Sequence, residues 1–245
     1  MELSTIIEKS YKIFEDYTIG ETLEICTNCC VTKEEEKILV RTPLRKITKE
    51  IMNFYYNSAQ TYSQRELYEM KYFLPRVLEL LANFEVPTHS IEISLTRLML
   101  DKKEWWLQKE KELLHEFAIA YFQKCLEQYP LPERISIDKI IIMFGIAHFE
   151  IEKILECWKN AEEVTAFLHL KDFLWNKIEY DDFQKPIKLK NSFSEPYLDV
   201  IIVNWLRNKN VKKTFLQSIE KIIFHNPCSK EDMDELNLLY ETLTQ

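Results

Sequence analysis

Glycine is nearly missing from this 245-residue chain: Gly20 and Gly145 are the only two. Tight hairpin turns need residues that accept positive φ, and phosphate-cradling loops need glycines at fixed spacing. A hairpin-rich sheet protein is therefore excluded, as are G-x-G-x-x-G and P-loop nucleotide sites. Long apolar runs are missing too. The longest, Ile140 to Phe149, is ten residues and contains Gly145 and His148, so nothing in the chain spans a bilayer. Residues 1–20 form a charged amphipathic segment without a secretory apolar core, and six scattered cysteines do not make a disulfide framework for a chain of this size. Both features point to a reducing cytoplasm. No catalytic serine signature occurs, and neighbouring acids such as Asp181 and Asp182 face different ways. The sequence reads as non-enzymatic.

Leu, Ile, Glu and Lys dominate at helical spacing, which makes the expected class all-α: about ten to twelve helices in antiparallel pairs, forming a multi-helix bundle or a short irregular solenoid. The best-specified stretch is Tyr55 to Phe84. There Leu67, Met70, Leu74, Val77, Leu81 and Phe84 recur at steps of three and four and give one apolar seam. Ser63 with Glu66 marks its start, as Thr32 with Glu35 and Asn160 with Glu163 mark two others; Thr48 is a further N-cap. Pro75 is expected to kink or restart the helix, which reads either as a bent core helix or, more sharply, as a bend that turns Tyr72, Arg76 and Glu79 toward a partner. The spacing also predicts a helix over Ile91 to Met99 and a long one opening at Asp101 with Glu104 and running to Leu126. The Tyr129 to Glu133 segment, with Pro130 and Pro132, is the expected seam between an N-terminal half (1–129) and a C-terminal half (130–245) packed as one unit. Residues 179–193, rich in Lys and Asp and broken by Pro186, are expected to be a mobile surface loop.

Cys26, Cys29 and Cys30 are the sharpest chemical cluster. Two thiolates at C-x-x-C spacing can ligate zinc from one turn, but a structural site needs four ligands, and no second C-x-x-C or H-x-x-x-H follows. A redox-active thiol and a partly buried structural turn are the other readings of the same residues. Glu112-x-x-His115 matches half of a di-iron carboxylate motif whose second copy is absent, and His148 and His169 read as core or boundary histidines.

The net charge of −8 makes nucleic acid a poor partner despite the basic section at 183–230, which carries three acids against nine bases. A basic protein partner suits the acidic remainder. Aromatic residues such as Trp105 and Trp106, with Tyr72, Arg76 and Glu79, are the candidates for its binding face.

The N-terminal half resembles a family of bacterial all-helical proteins of unassigned activity. The shared pattern is a C-x-x-C cluster (Cys26 and Cys29), a T-P-L turn (Thr42 to Leu44), a Tyr-rich helix (Tyr55 and Tyr56), the block K-Y-F-L-P-R-x-L-E-L at Lys71 to Leu80, and a Trp and Glu segment at Trp105 to Glu110. The resemblance covers residues 24–127 and implies no catalytic role. Two functions are carried forward: a protein-interaction scaffold, most concretely an acidic immunity-type inhibitor of a basic toxin, and a metal- or thiol-dependent protein centred on Cys26, Cys29 and Cys30.

Overall fold

The computed structural model describes residues 2–225 and 229–244; Cys228 lies outside them. Among the described residues the fold is all-α and multi-helix: eleven α-helices, short 3-10 turns and one two-stranded hairpin. No helix among them is long and apolar enough to cross a membrane. The chain divides into two compact units, one running to Tyr121 and including Ile146–Phe149, the other formed by Phe122–Gly145 and the residues from Glu150 onward.

In the first unit, α1 (Leu3–Ile13) packs on α4 (Gln64–Ala82), while α2 (Lys33–Arg41) packs on α3 (Lys49–Asn57). The caps follow the sequence. Thr32 and Glu35 form a reciprocal capping box on α2, and the Thr48 and Ser63 hydroxyls accept the amides of Ile51 and Glu66 at the starts of α3 and α4. The apolar seam of α4 is buried end to end, and the helix runs unbroken through Pro75, so it does not restart there.

Ile91 to Met99 is not a helix. It forms two 3-10 turns, Ile91–Ile93 and Thr96–Leu98, and ends with Met99 in the left-handed region at φ 47°. Hydroxyls compete with the helical ladder here: Thr88 Oγ1 accepts the Ser90 amide and Thr96 Oγ1 donates to the Ile93 carbonyl. The following helix, α5 (Gln108–Glu127), starts seven residues after Asp101 because the fully buried Glu110 caps it, accepting the Leu107 amide at 2.9 Å.

The second unit contains α6 (Ile137–Ile146), α7 (Ile151–Lys159), α8 (Val164–Asp172), α9 (Pro196–Arg207), α10 (Lys209–His225) and α11 (Lys230–Thr244). Its aromatic centre is Trp158, fully buried, with Phe122, Phe173 and Trp205 at ring separations of 6.0, 5.3 and 5.6 Å. The Asn160 and Glu163 capping box does not form. Glu163 takes the N-cap position without a side-chain bond to the helix, and its carboxylate accepts the Glu162 amide instead. Beyond Asp172 the helix widens into a π-helical turn, Phe173–Lys177.

Residues 179–193 are not an irregular loop. They carry most of an antiparallel hairpin, β1 (Ile178–Tyr180) with β2 (Pro186–Leu189), which packs on α9. No glycine is needed at its tip, because Asp181 Oδ1 accepts the amides of Phe183 and Lys185 at 2.9 and 2.8 Å and Gln184 takes the positive φ.

Candidate functional site

The three clustered cysteines lie on an irregular segment whose backbone donors are held by side chains from three directions. The Leu23 amide bonds Glu36 Oε1 of α2 at 2.8 Å. Next, the Glu24 amide bonds both oxygens of Glu69 on α4, at 3.0 and 2.9 Å, and the Cys26 amide bonds Ser58 Oγ at 2.7 Å. A loop closed by the Val31 amide on the Cys26 carbonyl then feeds into the N-terminus of α2.

Behind Ser58 lies a buried ion pair. Glu66 is fully buried and pairs with Arg97, which also donates to the Ser58 carbonyl. The other oxygen of Glu66 accepts the Thr61 and Tyr62 amides at 2.8 and 2.7 Å, which fixes Tyr62 in the left-handed region at φ 58°. Two buried charges are thus each met by several hydrogen bonds, the condition under which such a pair is tolerated. The thiol turn therefore sits on a rigid base although no regular element carries it.

On that base the sulfurs converge. Cys26 Sγ lies 3.3 Å from Cys29 Sγ, which lies 3.5 Å from Cys30 Sγ, and all three fall within 4.8 Å of one another. Cys26 is half-buried and the other two are exposed. Donation from the Cys29 thiol, and then from the Asn28 and Cys29 amides, brings the Cys26 thiol down to about 7. The same donation pushes Cys29 up to about 11. Tetrahedral thiolates 2.3 Å from a zinc ion stand about 3.8 Å apart, so an opening of a few tenths of an ångström would seat the ion. Among the described residues, no other histidine, cysteine or carboxylate joins the group.

The other residues singled out in the sequence are placed elsewhere in the same unit. Arg76 donates to the Ile47 carbonyl at 2.6 Å and pairs with Glu79 at 2.7 Å, and Glu79 accepts the Tyr11 hydroxyl of α1 at 2.6 Å. Tyr72 is half-buried and meets Phe73 edge-on at 5.0 Å. Trp106 is buried with its indole N–H on the Leu98 carbonyl, and the Trp105 carbonyl accepts from Lys71 at 2.7 Å. Lys71 itself is buried against Glu110 at 2.7 Å, with the Trp106 ring 4.3 Å away.

One site escaped the sequence. In the second unit a cavity of about 330 Å³ opens between residues 129–138 and the α8 to π-turn segment, lined by Tyr129, Asp138, His169, Asp172 and Lys177 among others. His169 Nε2 lies 2.9 Å from the Gln128 carbonyl; a carbonyl only accepts, so Nε2 carries the hydrogen. Burial moves the His169 pKa down, against the Gln128 and Cys125 carbonyls and Asp172, which favour the charged ring. The Tyr129 hydroxyl donates to Asp172 Oδ2 at 2.8 Å, and burial followed by that bond pushes Tyr129 up to about 12. The spacing of His169 and Asp172 does place both on one helix face. Nothing local signals that Tyr129, 43 positions earlier, meets them.

No protein-family model, curated protein or solved structure matches this chain in comparisons with each.

Proposed function

We propose that this protein takes up a thiophilic metal ion, zinc foremost, at Cys26, Cys29 and Cys30. The observation that carries the reading is the convergence of three sulfurs, at 3.3 and 3.5 Å, on a turn held by Glu36, Glu69 and Ser58. Thiolates suit soft and borderline ions, and three protein ligands leave one coordination position open, as in sites that exchange or activate a ligand, not in closed structural ones. Exposure of Cys29 and Cys30 fits an exchangeable ion. The test uses the reduced, metal-free protein titrated with cobalt(II), then with zinc against a chromophoric chelator. One ion per chain, thiolate-to-cobalt charge-transfer absorption, and loss of both in the Cys26→Ser, Cys29→Ser, Cys30→Ser triple variant with unchanged helical circular dichroism are expected. A triple variant that holds as much zinc as the native chain would overturn the reading.

The second reading, an interaction scaffold whose concrete form is an immunity-type inhibitor of a basic toxin, is favoured by α11. Glu231, Asp234, Leu238 and Glu241 are all exposed and follow at steps of three, four and three, which aligns them in one stripe. Segment 231–245 carries five acids and no base. Charge reversal at Glu231, Asp234 and Glu241 should abolish capture of a basic partner and leave metal uptake intact; capture unaffected by the reversal would remove this stripe from consideration.

A further inference from the structure

We propose that the cavity in the second unit binds a small organic cation, an ammonium carried on an apolar or aromatic body, with Asp172 as its counter-ion. Two carboxylates line the space, and their surroundings differ. Asp138 is buried and already well met: the Ser136 hydroxyl donates to it at 2.6 Å, the Asn191 amide at 3.3 Å, and the Lys177 ammonium stands 3.7 Å away. Among the described residues, the Asp172 carboxylate has one hydrogen bond, from the Tyr129 hydroxyl, and no cation within ion-pair distance. Against two carboxylates stands one ammonium, so the lining is one positive charge short. His169 turns its Nε2–H to the Gln128 carbonyl at 2.9 Å, and burial lowers its pKa, against the pull of the Gln128 and Cys125 carbonyls and Asp172. Burial first, and then the bond to Asp172, oppose ionisation of Tyr129, so its hydroxyl stays a neutral donor beside that carboxylate.

The rest of the lining suits the organic part of such a ligand. Tyr129 and His169 meet edge to face, with ring centroids 4.9 Å apart, and Leu131, Ile135 and Phe173 supply apolar wall. Aromatic rings beside a carboxylate favour a partly desolvated cation over an anion. A volume of about 330 Å³ lies at the small end of ligand cavities, which limits the occupant to about one ring and its amine. The site belongs to the second unit and does not depend on the thiol turn.

The experiment compares three probes that share a ring and differ in charge, benzylammonium, benzyl alcohol and benzoate, by calorimetric titration of the whole protein and by the shift of its melting temperature. Saturable 1:1 binding of benzylammonium is expected, with benzyl alcohol weaker by about tenfold, the scale of one partly buried charge contact, and benzoate weaker still. Asp172→Asn should bring benzylammonium down to the level of the alcohol. Should that variant unfold, Leu131→Trp, which adds bulk to the cavity lining, should abolish binding of all three probes. Equal binding of the three probes, no saturable binding of benzylammonium, or full binding by a folded Asp172→Asn protein would overturn the proposal. Metal uptake at the thiol turn is unaffected by any of these outcomes.

Discussion

The hydroxyl of Ser58 accepts the amide of Cys26 at 2.7 Å, while the carbonyl of the same serine accepts from Arg97, so one residue ties the thiol turn to the buried Glu66–Arg97 pair. This link sets an order of severity for substitutions. Ser58→Ala leaves one half-buried amide without its partner and should cost about 1 kcal/mol. Arg97→Met leaves Glu66 buried and unpaired and should cost about 3–5 kcal/mol. Urea unfolding measures both costs. Amide hydrogen exchange at Cys26 should rise in both variants, and unchanged exchange in Ser58→Ala would mean that the turn is held by something else.

Much of the fold was legible because its signals are local. Thr32 with Glu35, Thr48 and Ser63 each act within one turn of helix, and each caps the element expected. The seam of α4 is a periodicity, and burial follows it. The expectations that failed have two causes: local side-chain bonds that compete with the helix, as at Thr88, Thr96 and Glu163, and partners far away in sequence. Asp101 with Glu104 looks as good a start as any, but Glu110 is fully buried against Lys71, 39 positions earlier, and its carboxylate fixes the start of α5. The hairpin at 178–189 was hidden for another reason: Asp181 and Gln184 do the work usually assigned to glycine, so a scarcity of glycine did not exclude one small sheet. For the thiols, C-x-x-C-C spacing announced the cluster. What holds it could not be read, since Glu69, Ser58 and Arg97 reach it from other segments.

Lys71 and Glu110 form the second buried ion pair of the first unit, 4% and 0% exposed at the side chain, and the burial decides what mutation does. Lys71 also donates to the Trp105 carbonyl and to Tyr17. Lys71→Met should therefore cost about 3–5 kcal/mol, because Glu110 keeps its desolvation without its cation. The double variant Lys71→Met, Glu110→Gln should recover part of that loss, with a coupling of at least about 1 kcal/mol in a denaturation cycle. Strict additivity of the two single costs would contradict the pairing.

Cys26 should be the thiol that alkylates first in the metal-free protein. With its pKa near 7, at pH 7 it holds about 50-fold more thiolate than a thiol at 9, offset by about eightfold lower intrinsic nucleophilicity, for a net gain of about sixfold. Cys29, held higher, should react after Cys26. Limited iodoacetamide labelling with fragment-ion mapping reads the order. Zinc at one equivalent should protect all three residues together, whereas protection of none would count against the metal site.

His169 should make the second unit sensitive to mild acid, and the sign follows from the direction of its shift. Burial lowers its pKa in the folded protein below the ordinary histidine value of 6.5. Below pH 6.5 the unfolded chain therefore binds a proton that the folded chain refuses, so the histidine's contribution is fully present above that pH and is lost as the pH falls toward the folded value. The loss cannot exceed about 1.4 kcal/mol per pH unit for a single group. Urea midpoints followed by tryptophan fluorescence between pH 7.5 and 5.5 should fall for the native chain. His169→Gln keeps a donor for the Gln128 carbonyl but has no titrating ring, so its midpoint should fall less over the same range. Parallel curves for the two proteins would show that the ring titrates alike in the folded and unfolded chain, and the neutral histidine of the cavity would lose its support.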